Sequence, residues 1–173
     1  DYNGKMIKQL EKGDYDVTSI YGYDEKNGTI YLQAAAESPM NREVYAVYKN
    51  GTKKKLSGQS GWNSAVFSGD FKYFINIWSN RNTPYVFSVC SNTGKALRIM
   101  EDNKELKDKL AKYNLAEKEM FSFVTSEGIK LNGWMLKPTN FDATKKYPVV
   151  MFQYSGPGSQ QVTDSWNIGS MGQ

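Results

Sequence analysis

The side chains able to do chemistry are few, and one type is missing altogether: the 173 residues contain no histidine. A Ser-His-Asp or Cys-His site needs an imidazole to take and return a proton, so these residues cannot assemble one by themselves. Zinc sites built on histidine are excluded for the same reason, and the single cysteine, Cys90, can make neither a thiolate cluster nor an internal disulfide. Cys90 lies in Tyr85-Val86-Phe87-Ser88-Val89-Cys90 and is expected to pack as a small hydrophobe. Ser155, in Gln153-Tyr154-Ser155-Gly156-Pro157, lacks the flanking glycines of a G-x-S-x-G nucleophile elbow. Gly156-Pro157-Gly158-Ser159 has the look of a phosphate loop, but no Gly-Lys-Ser/Thr follows and Pro157 removes a backbone donor. A tight turn is the better reading, and no cofactor is expected. Glu117 and Glu119 read as solvated charges at a strand entry, and Trp134 as a core residue.

The formal net charge is +4, and the densest basic run is Lys53-Lys54-Lys55, directly after Asn50-Gly51. That run reads as a solvated hairpin turn, and no nucleic-acid partner is expected. No apolar run approaches the ~20 residues needed to cross a bilayer as a helix. The first residues, Asp1-Tyr2-Asn3-Gly4, show none of the charge and apolar order of a signal peptide, as an internal fragment also would.

The elements around these residues fall into two kinds. Hydrophobic residues make up 39% and aromatics 14%, with 12 tyrosines, a balance suited to half-buried strands. Strands are expected at 17–23, 29–35, 44–48, 71–78, 85–90 and 96–100, separated by Asn27-Gly28, Asn50-Gly51, Ser79-Asn80-Arg81-Asn82 and Asn92-Thr93-Gly94. The pattern repeats: Thr29-Ile30-Tyr31-Leu32 corresponds to Lys72-Tyr73-Phe74-Ile75, and Tyr45-Ala46-Val47-Tyr48 to Tyr85-Val86-Phe87-Ser88. Gly51, ahead of a short strand ending at Leu56, corresponds to Gly94 ahead of Leu97. Such offsets match the ~40–45 residues of a four-stranded propeller blade. Residues 5–10 would be the outer strand of a preceding blade. Two blades cannot close a ring, so the expectation is a piece of something larger; an eight-stranded sandwich is the alternative.

Beyond Glu101-Asp102-Asn103 the pattern changes. Residues 104–112 read as a short amphipathic helix capped by Asp102 or Asn103, and 119–124 with 129–136 as a hairpin around Ser126-Glu127-Gly128. Then Val149-Val150-Met151-Phe152 is apolar at every position, the signature of a strand covered on both faces. It is expected to pair with the hairpin and begin a mixed sheet.

This order resembles the dipeptidyl peptidase IV group of the prolyl oligopeptidase family of serine peptidases. The resemblance is carried by Gly94-Lys95-Ala96-Leu97-Arg98-Ile99-Met100-Glu101-Asp102-Asn103, like the family's junction between last blade and hydrolase domain. It is carried more strongly by Lys145-Lys146-Tyr147-Pro148-Val149-Val150-Met151-Phe152-Gln153-Tyr154-Ser155-Gly156-Pro157-Gly158-Ser159-Gln160. The resemblance implies a mixed β and α/β fold: residues 1–100 as the last blades of a β-propeller, and 101–173 as a linker helix and the truncated N-terminal part of an α/β-hydrolase catalytic domain. It implies an exopeptidase releasing N-terminal dipeptides with proline or alanine second, no cofactor, a homodimeric parent, and a periplasmic, secreted or membrane-anchored location. Serine, aspartate and histidine would all lie later in the parent sequence, leaving the fragment alone inactive. One site residue carries over, Tyr154, as the hydroxyl of the oxyanion hole. A relative with tripeptidyl or acylaminoacyl specificity and a catalytically dead binding homologue are the alternatives.

Overall fold

The computed structural model describes residues 3–154, 156 and 158–166. Eight strands form two antiparallel four-stranded meanders, each in simple sequence order. The first holds β1 (Val17–Asp24), β2 (Thr29–Ala34), β3 (Glu43–Val47) and β4 (Lys53–Lys55); the second holds β5 (Trp62–Phe67), β6 (Tyr73–Asn80), β7 (Thr83–Ser91) and β8 (Ala96–Glu101). Consecutive pairing through short turns is how propeller blades are built. The turns use the glycines expected, with Gly28, Gly51 and Gly94 all at positive φ.

Period-two alternation explains how the first sheet is covered on both faces. Val44 and Ala46 of β3 join Tyr31, Leu56, Ala65, Phe74 and Cys90 in a core shared by the two sheets. Tyr45 and Val47, pointing the other way, join Leu32 and Ala34 in a second cluster that Tyr15 packs against. Aromatic rings close the seam between sheets: Tyr31 lies 4.4 Å from Phe67 and is stacked 5.3 Å from Phe71. Cys90 is a buried free thiol within this core, as its sequence setting suggests.

Polar groups also cross the seam. Gln33 donates to the Asn63 carbonyl at 2.6 Å, and the Asn63 amide donates to the carbonyls of Arg42 and Gln59 at 3.0 and 2.9 Å. Asn76 completes the ladder by donating to Asn63 Oδ1 at 3.1 Å. Strand β5 carries Asn63 inward where an apolar residue would ordinarily signal a strand, which is why it does not stand out in the sequence. Lys53–Lys55 form the short strand expected after Gly51, at the sheet edge rather than in the turn itself, and Lys53 pairs with Glu11 and Lys55 with Glu37.

Three expectations need correction. Residues 5–10 form no strand, because no described strand lies beside them to complete a ladder. The 71–78 strand begins two residues later, since Phe71 sits at φ 54 inside a turn held by Ser68 and Asp70. Residues 149–152 belong to no strand and do not pair with the hairpin; Val150 is 92% exposed. A continuous apolar run is buried only where elements cover both its faces, and no described element does so here.

The remaining elements are as read, with shifted ends. Helix α1 (Lys104–Leu110) follows Asn103, whose side chain donates to the Tyr85 carbonyl; the first-turn amide of Lys104 is met by Asp102 instead. Strands β9 (Lys118–Val124) and β10 (Lys130–Leu136) form a separate two-stranded hairpin in which Trp134 is half-buried opposite Met120.

Candidate active-site loop

Tyr154 ends the apolar run without belonging to any regular element, and it is 62% exposed. Its ring folds back over Gly156: a Cβ added there would lie 2.9 Å from the ring carbon Cε1 and 3.1 Å from the hydroxyl oxygen. A residue with no side chain at 156 therefore lets the tyrosine lie across the turn. The Gly156 carbonyl accepts from the Ser159 amide at 3.1 Å, closing that turn. The readings made of Ser155 and Pro157 fall outside the described residues.

The chain then runs back onto the sheets. Gln160 Oε1 accepts from Arg42 Nη2 at 2.6 Å, while its Nε2 donates to the carbonyls of Pro39 at 2.6 Å and Val162 at 3.0 Å. Asp164 accepts from the Arg81 amide at 2.9 Å and forms an ion pair with its guanidinium at 3.1 Å. The Asp164 amide donates to the Met40 carbonyl at 2.9 Å, and the Trp166 amide to Ser79 Oγ at 3.1 Å. Two turns receive this segment: 38–42, leading into β3, and 79–82, between β6 and β7.

Arg42 is held before Gln160 meets it. Its guanidinium lies 4.5 Å over the Trp62 ring and donates to the carbonyls of Pro39 and Asn41. Burial pushes its pKa down, while the neighbouring Glu43 and Asp16 carboxylates pull it up. Beside Asp164, burial lowers the pKa of Lys118 at the start of β9, and the Asp164 charge opposes that shift.

Arg42, Arg81, Gln160 and Asp164 did not stand out in the sequence. Their partners lie 83 to 121 positions apart, beyond the reach of any local spacing rule. The other candidates stay apart from this loop. Glu119 forms an exposed ion pair with Lys137 at 2.6 Å, and Glu117 lines a shallow depression beside it. Among the described residues, no three acidic, cysteine or histidine side chains gather as a metal site.

Comparison with known proteins fits the two meanders. They are four-stranded antiparallel sheets of the β-propeller kind, and residues 1–85 match the family model of the dipeptidyl peptidase IV N-terminal region. The crystal structure of Porphyromonas gingivalis dipeptidyl peptidase 4 superposes with a TM-score of 0.91 at 44% identity, covering 97% of this chain and 24% of that one. The "Probable dipeptidyl-aminopeptidase B" of Chaetomium globosum is 34% identical over 165 residues, 92% of this chain and 18% of the relative. Dipeptidyl peptidase 4 of Trichophyton equinum is 32% identical over 169 residues, 95% of this chain and 22% of the relative. The chain thus spans about a fifth of the length of these curated relatives. These likenesses relate it to the dipeptidyl peptidase IV family.

Proposed function

We propose that the full-length protein is a serine exopeptidase that removes dipeptides from peptides with proline or alanine second. In this reading residues 1–100 are the last propeller blades, and residues 101–173 are the linker helix and the start of the α/β-hydrolase domain. The serine, histidine and aspartate come from other parts of the full-length protein, since an imidazole base is absent from these 173 residues.

The chemistry assigned to this chain is electrostatic. When a serine attacks the scissile carbonyl, its oxygen becomes an oxyanion and needs a donor already in place. The Tyr154 hydroxyl is given that role. The observation that supports it is the exposed Tyr154 ring laid over Gly156, at the end of the 149–152 run, in a chain that superposes so fully on a dipeptidyl peptidase.

Tyr154→Phe keeps the ring and removes only the hydroxyl. In the full-length enzyme, kcat on a glycyl-prolyl chromogenic substrate should fall by about 10²–10³, as for loss of one oxyanion donor. KM should change little, because the bond strengthens mainly as charge develops. A kcat within about threefold of wild type, with an unchanged thermal melt, would remove Tyr154 from the site.

A further inference from the structure

We propose that residues 158–166 form a latch that positions Tyr154, with Arg42, Gln160, Arg81 and Asp164 as its fastening groups. The inference rests on the reading of Tyr154 as the oxyanion donor and adds residues to that site. A side-chain donor must be held within about 0.5 Å of its productive place. Among the described residues no strand or helix includes 149–154, and Val149–Met151 are exposed. The fixed points lie downstream.

Gln160, six residues on, uses both ends of its amide on the 38–42 turn: the oxygen on Arg42 and the nitrogen on Pro39. Arg42 is itself immobilised by Trp62 and two carbonyls, so the first anchor is rigid. Asp164 supplies the second anchor on the other sheet, taking the Arg81 amide and guanidinium together while its own amide reaches Met40. The Trp166 amide adds a bond to Ser79, which is fully buried. Anchors on two sheets fix both the position and the direction of the segment. The closed turn from Gly156 to Ser159 carries that constraint back to the ring above it. These four side chains are positioning residues; none is asked to touch substrate.

Two measurements on the full-length protein test the latch. In Gln160→Ala and Asp164→Asn, amide hydrogen exchange of the 158–166 peptide should rise at least tenfold, with β2 and β3 peptides and the melting temperature unchanged. In the same variants kcat should fall about 10- to 10²-fold with KM within twofold, the scale expected of a displaced catalytic group. Made in a Tyr154→Phe background, the same substitutions should cost less than twofold, because there is no hydroxyl left to misplace. Equal losses in both backgrounds, or a freely exchanging segment with unchanged kcat, would overturn the latch. If instead Tyr154→Phe alone leaves kcat intact, the oxyanion reading fails and positioning for chemistry goes with it. The exchange measurement still reports separately whether the segment is fastened.

Discussion

A glycine and a glutamate show how much one position can carry. At Gly156 a methyl group would meet the Tyr154 ring, a side chain free to rotate away, so the cost falls on where the hydroxyl sits. Gly156→Ala should therefore leave the thermal melt of the full-length protein nearly unchanged and lower kcat toward the Tyr154→Phe level. Wild-type kcat in Gly156→Ala would mean the ring does not need that place. Glu43 is fully buried, and one of its carboxylate oxygens has no hydrogen-bond partner. Burial raises its pKa, against the opposing pull of the Glu37 amide and Lys55. A carboxyl whose folded pKa lies above its unfolded one favours folding when protonated, so its cost is absent in acid. That cost appears as pH rises from the unfolded value through the folded one. Glu43→Gln should raise the melting temperature at pH 7 by about 2–4 °C, from roughly 1 kcal/mol. The gain should shrink toward pH 4, and a gain independent of pH would show that charge is not the cause.

Strand β5 shows the same economy in one element. Its inward Asn63 spends every side-chain polar group on a partner, so Asn63→Ala would strand the Gln59 carbonyl and the Asn76 amide at once, while the Arg42 carbonyl would keep only the backbone amide of residue 63. Denaturant melts of the 173-residue chain should show a loss of about 2–4 kcal/mol, and a loss under 0.5 kcal/mol would mean water replaces the side chain freely. This strand also marks where sequence patterns stop being informative. The Asn-Gly turns and the aromatic repeat at Tyr31 and Phe74 announce the meanders, because turn chemistry and alternation are local. Asn63 defeats the alternation rule, since its inward position is satisfied by residues 4 to 30 positions away. Residues 149–152 fail for the opposite reason: the composition states a preference for burial, and burial depends on neighbours that no local pattern records. The proposal for Tyr154 comes only from the motif around it, and the contacts of Gln160 with Arg42 and of Asp164 with Arg81 leave no local trace in the sequence.

Over the whole chain, chemistry and scaffold are unequally represented. The two sheets are closely packed, while the segment holding Tyr154 exposes Val149, Val150 and Met151 almost completely. With neither histidine nor a nucleophile elbow, the 173-residue chain should hydrolyse no glycyl-prolyl substrate above background. Turnover that survives repurification and disappears in Tyr154→Phe would contradict this and place the whole reaction within the chain.

The turn between β7 and β8 reaches across to the neighbouring sheet, and there the main chains themselves are in near contact. Gly94, at φ 84, comes so near the end of β4 that a Cβ would lie 2.8 Å from the Leu56 carbonyl oxygen. Backbone cannot swing aside as a side chain can, so the missing side chain at 94 is what lets the two sheets approach this closely here. A methyl group at Gly94 would push the two sheets apart at this seam.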